Sequence, residues 1–145
     1  MKKLISILGI ASILAGGLIV TLFSQAAPAS VTISLNVGGS PEIVLDVDPV
    51  TIDLGGQVRW VSVGSRSDTI RIDFLESNGR SGPFPATGAA DNPQRGRYTK
   101  QVGSPIITLP ASEDEDRGSW KYNIVWTTAD GTVYELDPMV IVRGS

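Results

Sequence analysis

The chain has 145 residues, 12 Lys and Arg against 15 Asp and Glu, and neither cysteine nor histidine. Those two absences exclude a disulfide framework, a lipid-anchoring thiol, thiolate or imidazole metal ligands, and any Ser-His or Cys-His nucleophile pair. Without Lys2 and Lys3 the balance is ten basic against 15 acidic side chains, or −5, which argues against nucleic acid as a partner, since neutralising phosphates needs clustered positive charge.

Lys2 and Lys3 precede an apolar run of 20 residues from Leu4 to Phe23, and Ser24, Gln25, Ala26, Ala27, Pro28 and Ala29 follow it. This is the layout of a secretory signal, with cleavage expected after Ala26 or Ala29. The run is also just long enough to cross a bilayer as a helix, so an uncleaved anchor is the alternative. Residues 1–29 therefore read as a signal peptide or N-terminal membrane anchor. Residues 30–145 read as one domain, either secreted or periplasmic or tethered to the inner membrane by that helix.

After the leader, Val31, Ile33, Leu35 and Val37 alternate with Thr32, Ser34 and Asn36, the two-residue period of a half-buried strand, and Gly38 to Pro41 close it. Ile43, Leu45 and Val47 give the next strand, and Val50, Ile52 and Leu54 another. Gly55 and Gly56 turn the chain into the stretch around which the domain is organised, GGQVRWVSVGSRSDTIRIDF. There Val58 and Trp60 face one way and Gln57, Arg59 and Val61 the other. Gly64 to Asp68 form a polar turn, and Ile70, Ile72 and Phe74 then repeat the alternation.

From Leu75 to Arg97 the periodicity stops among Gly, Pro and Asn residues, and the segment reads either as a long crossover between two sheets or as a binding loop. Tyr98 to Val102 and Ile106 to Leu109 suggest short strands. Glu113, Asp114, Glu115 and Asp116 form an acidic run, either a solvated turn or a calcium loop lacking the usual glycine. Trp120, Tyr122, Ile124 and Trp126 then share one face of an aromatic strand, Asp130-Gly131 turns it, Thr132 to Leu136 return, Pro138 interrupts, and Met139 to Val142 close the sheet. The pattern predicts an all-β fold, a single Greek-key β-sandwich of about seven or eight strands with mixed pairing.

The run from Gly55 to Ile70 resembles the cupredoxin family, in which a Gly-x-x-Val-x-Trp strand is followed by a copper-binding histidine; that position here is Asp68. The stretch GSWKYNIVW through DPMVIV resembles the family's closing hairpin, with Met139 alone comparable to its ligands. The resemblance covers residues 43–143 and implies a cupredoxin-like sandwich, with an immunoglobulin-like one as the near relative in architecture. A type 1 copper centre needs two imidazoles and a thiolate. This chain supplies none of them, so neither copper nor any other cofactor is implied.

Other chemistries are weak. A Ser-Lys dyad through Lys100 or Lys121 has no supporting motif. Asp46 with Asp48, or Asp68 with Asp73, would have to face one another across a cleft to hydrolyse a glycoside. Trp120, Tyr122 and Trp126 read as core before they read as a carbohydrate platform. The sequence thus points to a metal-free, non-catalytic binding module whose partner is a protein or an envelope component. The alternative is a structural subunit that assembles by β-strand addition through Val31 to Val37. The resemblance implies that the Gly64–Asp68 and Thr127–Gly131 loops meet at one end of the sandwich, which makes Arg66, Asp68 and Asp130 the candidate partner-binding residues.

Overall fold

Strands form where β-branched residues alternate with polar ones, because a branched Cβ packs well on a pleated surface and crowds a helical turn. A computed structural model describes residues 26–144 of the chain. The expected N-terminal signal or anchor helix lies outside the described residues.

Strand β1 (Ala29–Asn36) buries Val31, Ile33 and Leu35. It is followed by β2 (Glu42–Leu45) and β3 (Val50–Asp53), the latter burying Val50 and Ile52. The central pair is β4 (Val58–Val63) and β5 (Thr69–Phe74), with Val58, Trp60, Ile70, Ile72 and Phe74 inward in the expected phase. Two-residue strands β6 (Glu76–Ser77) and β7 (Arg80–Ser81) come next. Then follow β8 (Arg97–Gln101), β9 (Ile106–Ile107), β10 (Gly118–Thr127), β11 (Val133–Leu136) and β12 (Met139–Arg143).

These strands build a sandwich. One sheet runs β2-β1-β4-β9 and the other β3-β12-β10-β5-β8. The ten-residue β10 is shared lengthwise, since Gly118–Lys121 pair with β12 while Ile124–Thr127 pair with β11 on the same side. Pro138 marks the step between those two partners, and its carbonyl accepts from Tyr122 N at 3.1 Å. The pairing is mixed, as expected: β1 lies parallel to β4 and β3 parallel to β12, among otherwise antiparallel neighbours.

Between the sheets, Trp60 is the hub of an aromatic cluster. Its ring lies 5.7 to 6.4 Å, centroid to centroid, from Phe74, Phe84, Tyr98 and Tyr122. Each of the three tryptophans is buried with its indole N–H satisfied: Trp60 donates to Tyr122 Oη, Trp120 to the Asp116 carbonyl and Trp126 to Asp68 Oδ2. That arrangement identifies the aromatic face of β10 as core and excludes it as an exposed platform, because a buried indole needs an acceptor.

Three expectations are corrected. The first strand does not offer a free edge: β1 is held between β2 and β4 of its own chain, so adding it to a neighbour's sheet would first require tearing it from both. The Leu75–Arg97 segment is not a crossover between sheets, because β5 and β8 are antiparallel neighbours in one sheet. It makes the β6–β7 hairpin on Asn78 and Gly79, both at positive φ, and then drops Phe84 into the core as a lid. Gly82 is required there, since at φ 81 a Cβ would sit 2.6 Å from the Phe74 ring. The acidic run, finally, is not fully solvated. It forms a short 3-10 turn (Asp114–Asp116) whose Asp116 is wholly buried. Asp116 accepts from Arg95 at 2.6 Å and from Glu113 N at 2.9 Å, with Arg80 at 3.4 Å, so two arginines of the long segment already neutralise it.

Candidate functional site

The parallel β1–β4 register decides which loops share an end. Because Ser34 faces Val63, both strands finish at the same pole, and a Cβ on Gly64 would lie 3.0 Å from that of Leu35. The β10–β11 turn is tied to the same pole through Asp68. One carboxylate oxygen accepts from Trp126 Nε1 at 2.9 Å and the other from Ala129 N at 3.1 Å. The β8–β9 turn joins them: Val102 N donates to the Asp68 carbonyl, and Gly103 N to Ser62 Oγ. Four turns, residues 37–41, 64–68, 102–105 and 128–132, therefore converge on one face.

The Gly64–Asp68 and Thr127–Gly131 loops do meet, as the resemblance implied, through the Asp68 bond to Ala129 N. Its three candidate residues nevertheless have different places. Arg66 is exposed and lies along Gly103, with Cγ and Nε 3.7 Å from where a Cβ would stand. Asp130 is exposed and shapes its own turn by accepting from Thr128 Oγ1 and Thr132 N, and those bonds hold its carboxyl below the usual range. Asp68 is 4% exposed. Both its oxygens are engaged inside the protein, so it supports the face and does not present itself to a partner.

Sequence reasoning missed the apolar members of this face. Val37 is 62% exposed, Val63 55% and Val133 52%, and each stands at or beside the strand end that adjoins one of the turns. Val37 continues the apolar row of Val31, Ile33 and Leu35 in sequence, but the strand ends at Asn36 and leaves it exposed, while Val63 and Val133 read as ordinary strand residues. The available signal was position, since Val37 and Val63 are the last apolar residues before Gly-containing turns.

The carboxylates that the sequence offered as pairs are engaged separately. Asp46 accepts from Thr32 N and Asp48 from Met139 N, while Asp73 lies on the outer face between Arg71 and Arg97. The Lys100 ammonium is ion-paired with Asp91. Among the described residues no cluster of three or more acidic side chains is placed to hold a metal ion.

No family model matches the chain, and no curated protein matches it in sequence. Among solved structures the chain is similar to murine CRIg at 13% identity, over 66% of this chain and 91% of that one, with a TM-score of 0.35. A likeness that loose bears on neither chemistry nor partner.

Proposed function

We propose that the chain is a non-catalytic binding module, secreted or periplasmic or held at the inner membrane, that recognises a protein or envelope component through the four-turn pole. The observation that carries this reading is the composition of that pole. Exposed Val37, Val63 and Val133 stand at the strand ends beside the turns that carry one exposed cation, Arg66, and one exposed anion, Asp130. Loops fixed on a sandwich are a common place for recognition, and apolar residues beside an arginine are what protein interfaces favour.

Orientation supports it. The chain enters the sandwich at Ala29, which pairs with Val58 at the pole opposite the four turns. Eight residues at ~3.3 Å each carry β1 about 25 Å to the candidate face. A leader or anchor before Ala26 would thus hold the recognition face away from the bilayer.

The finer reading, a cupredoxin-like sandwich without copper, draws support from the two parallel pairings and from Asp68. At the position where the family resemblance calls for a histidine, a carboxylate joins the β4–β5 turn to Trp126 and the β10–β11 turn by hydrogen bonds. A hydrogen-bonded clasp here does the loop-joining that a shared metal would do.

Capture from an envelope extract tests the reading, with Arg66→Ala and Val63→Ser as the variants. Both lie on the exposed side of the pole, so each should leave stability within about 0.5 kcal/mol while weakening retention of the partner. Asp68→Ala is unsuitable for this purpose because it disturbs the clasp.

A further inference from the structure

The two outer faces of the sandwich differ in charge. On the β3-β12-β10-β5-β8 sheet the outward side chains are knitted into ion pairs: Arg71 and Arg97 hold Asp73, Arg143 holds Asp53, and Lys121 faces Asp137. On the β2-β1-β4-β9 sheet the alternation turns a different set outward. Val44 of β2 lies opposite Ser34 of β1, which in turn lies opposite Val63 of β4; the next row pairs Thr32 with Val61, and Ile107 of β9 stands opposite Arg59. Val44, Val63 and Ile107 are exposed, and Thr32, Ser34 and Val61 are half-buried. The middle of this face is therefore apolar or small, without charge. Its charged residues stand at the margins. Asp46, just past β2, is bonded to Thr32 N. Glu42 and Arg59 occupy diagonally opposite corners: Glu42 opens β2 opposite Asn36, at the four-turn end, and Arg59 lies near the start of β4 opposite Ser30. Among the described residues every Lys and Arg takes an ion pair except Arg59 and Arg66, and Glu42 takes none.

We propose that this face packs against the same face of a second copy of the chain, as a two-fold symmetric dimer. When two sheets cross near a right angle, one of the two usual ways sheets pack, a two-fold axis lying in the face lays diagonally opposite corners over one another. Glu42 of each copy then meets Arg59 of the other, which gives two equivalent ion pairs around an apolar middle. An isologous contact demands self-complementarity of this kind, and an unrelated partner does not. Four strands spaced ~4.8 Å apart, the longest of eight residues at ~3.3 Å each, offer at most about 500 Å² per copy, or about 1,000 Å² in all. That is the low end for a specific contact, so the dimer is reversible and is best read by trapping it.

The chain has no cysteine of its own, so a single introduced thiol reports contact cleanly. Thr32→Cys places one in the middle of the proposed contact, and Ser119→Cys places one on the exposed side of β10, in the other sheet. Purified full chain, oxidised with diamide and run on a gel without reductant, should give a disulfide-linked dimer from Thr32→Cys and about tenfold less from Ser119→Cys. Ile107→Lys added to Thr32→Cys should lower the dimer about tenfold, the melting temperature staying that of the Thr32→Cys chain. Arg59→Glu added to Thr32→Cys should lower it as well. Adding Glu42→Arg to that chain should bring the dimer back, because the swap rebuilds both ion pairs with their signs reversed. Equal dimer from the two thiols, no dimer from Thr32→Cys, or a charge swap that restores nothing would overturn the proposal.

Discussion

Asp68 shows most sharply how a residue's chemistry depends on its place. In the sequence it is a polar residue in a turn; in the fold its two oxygens hold the Trp126 indole and the Ala129 amide. Truncating it leaves two donors at a largely buried site without partners, and each such loss is costly. Asp68→Ala should therefore destabilise the protein by about 2 to 3 kcal/mol in denaturant unfolding. Asp68→Asn, which keeps one acceptor oxygen, should cost less. A variant that unfolded at the parent's midpoint would show that the clasp contributes nothing. Tyr98 poses the opposite case. Its hydroxyl is buried without a hydrogen-bond partner, and burial pushes its pKa up, although its ring packs on Trp60. Tyr98→Phe keeps the ring and removes the unsatisfied group, so thermal unfolding should show a gain of about 1 kcal/mol.

At the level of elements, the segment from Leu75 to Arg97 is the part least legible in the sequence. The strands on either side announced themselves by alternation, and Trp60, Ile70, Ile72, Trp120 and Trp126 all face the core as their phase required. Phe84 sits alone between Pro83 and Pro85, and no period marks a single aromatic as core. The Asn78-Gly79 pair did carry a hairpin signal, but it was one breaker among many. Arg80, Arg95 and the acidic run lie far apart in sequence, so the burial of Asp116 between them follows from tertiary packing and not from any local pattern. Asn92 completes the segment, accepting from Thr87 N and donating to the Gln94 and Arg97 carbonyls. Phe84→Ala should cost about 3 to 5 kcal/mol, the usual loss for a buried aromatic. A free binding loop would tolerate the change almost without effect, and equilibrium unfolding distinguishes the two.

For the whole molecule, the missing histidine fixes the pH response. No side chain with an ordinary pKa between about 5 and 8 is present to titrate, so stability should be flat across that range. On the acid side, hydrogen bonds from Thr32 lower the pKa of Asp46, and the Lys100 partner lowers that of Asp91. Folded values below the unfolded ~3.9 mean that their stabilisation is present above that pH and is lost as the pH falls through the folded values. On the alkaline side burial pushes Tyr122 up to about 12. Its contribution is complete below the unfolded value of ~10 and is lost as the pH rises toward 12. Melting temperature against pH should therefore give a plateau with two falling edges, and a step near pH 6.5 would contradict the assignment.

The same scale holds the functional claim, since four turns that are distant in sequence make one surface only through the fold. Capture from an envelope extract, comparing the parent, a pole variant carrying Arg66→Ala with Val63→Ser, and Arg143→Ala at the opposite end, tests it most directly. The account predicts a partner held by the parent and by Arg143→Ala and lost from the pole variant. Equal capture by all three, or none by the parent, would contradict it.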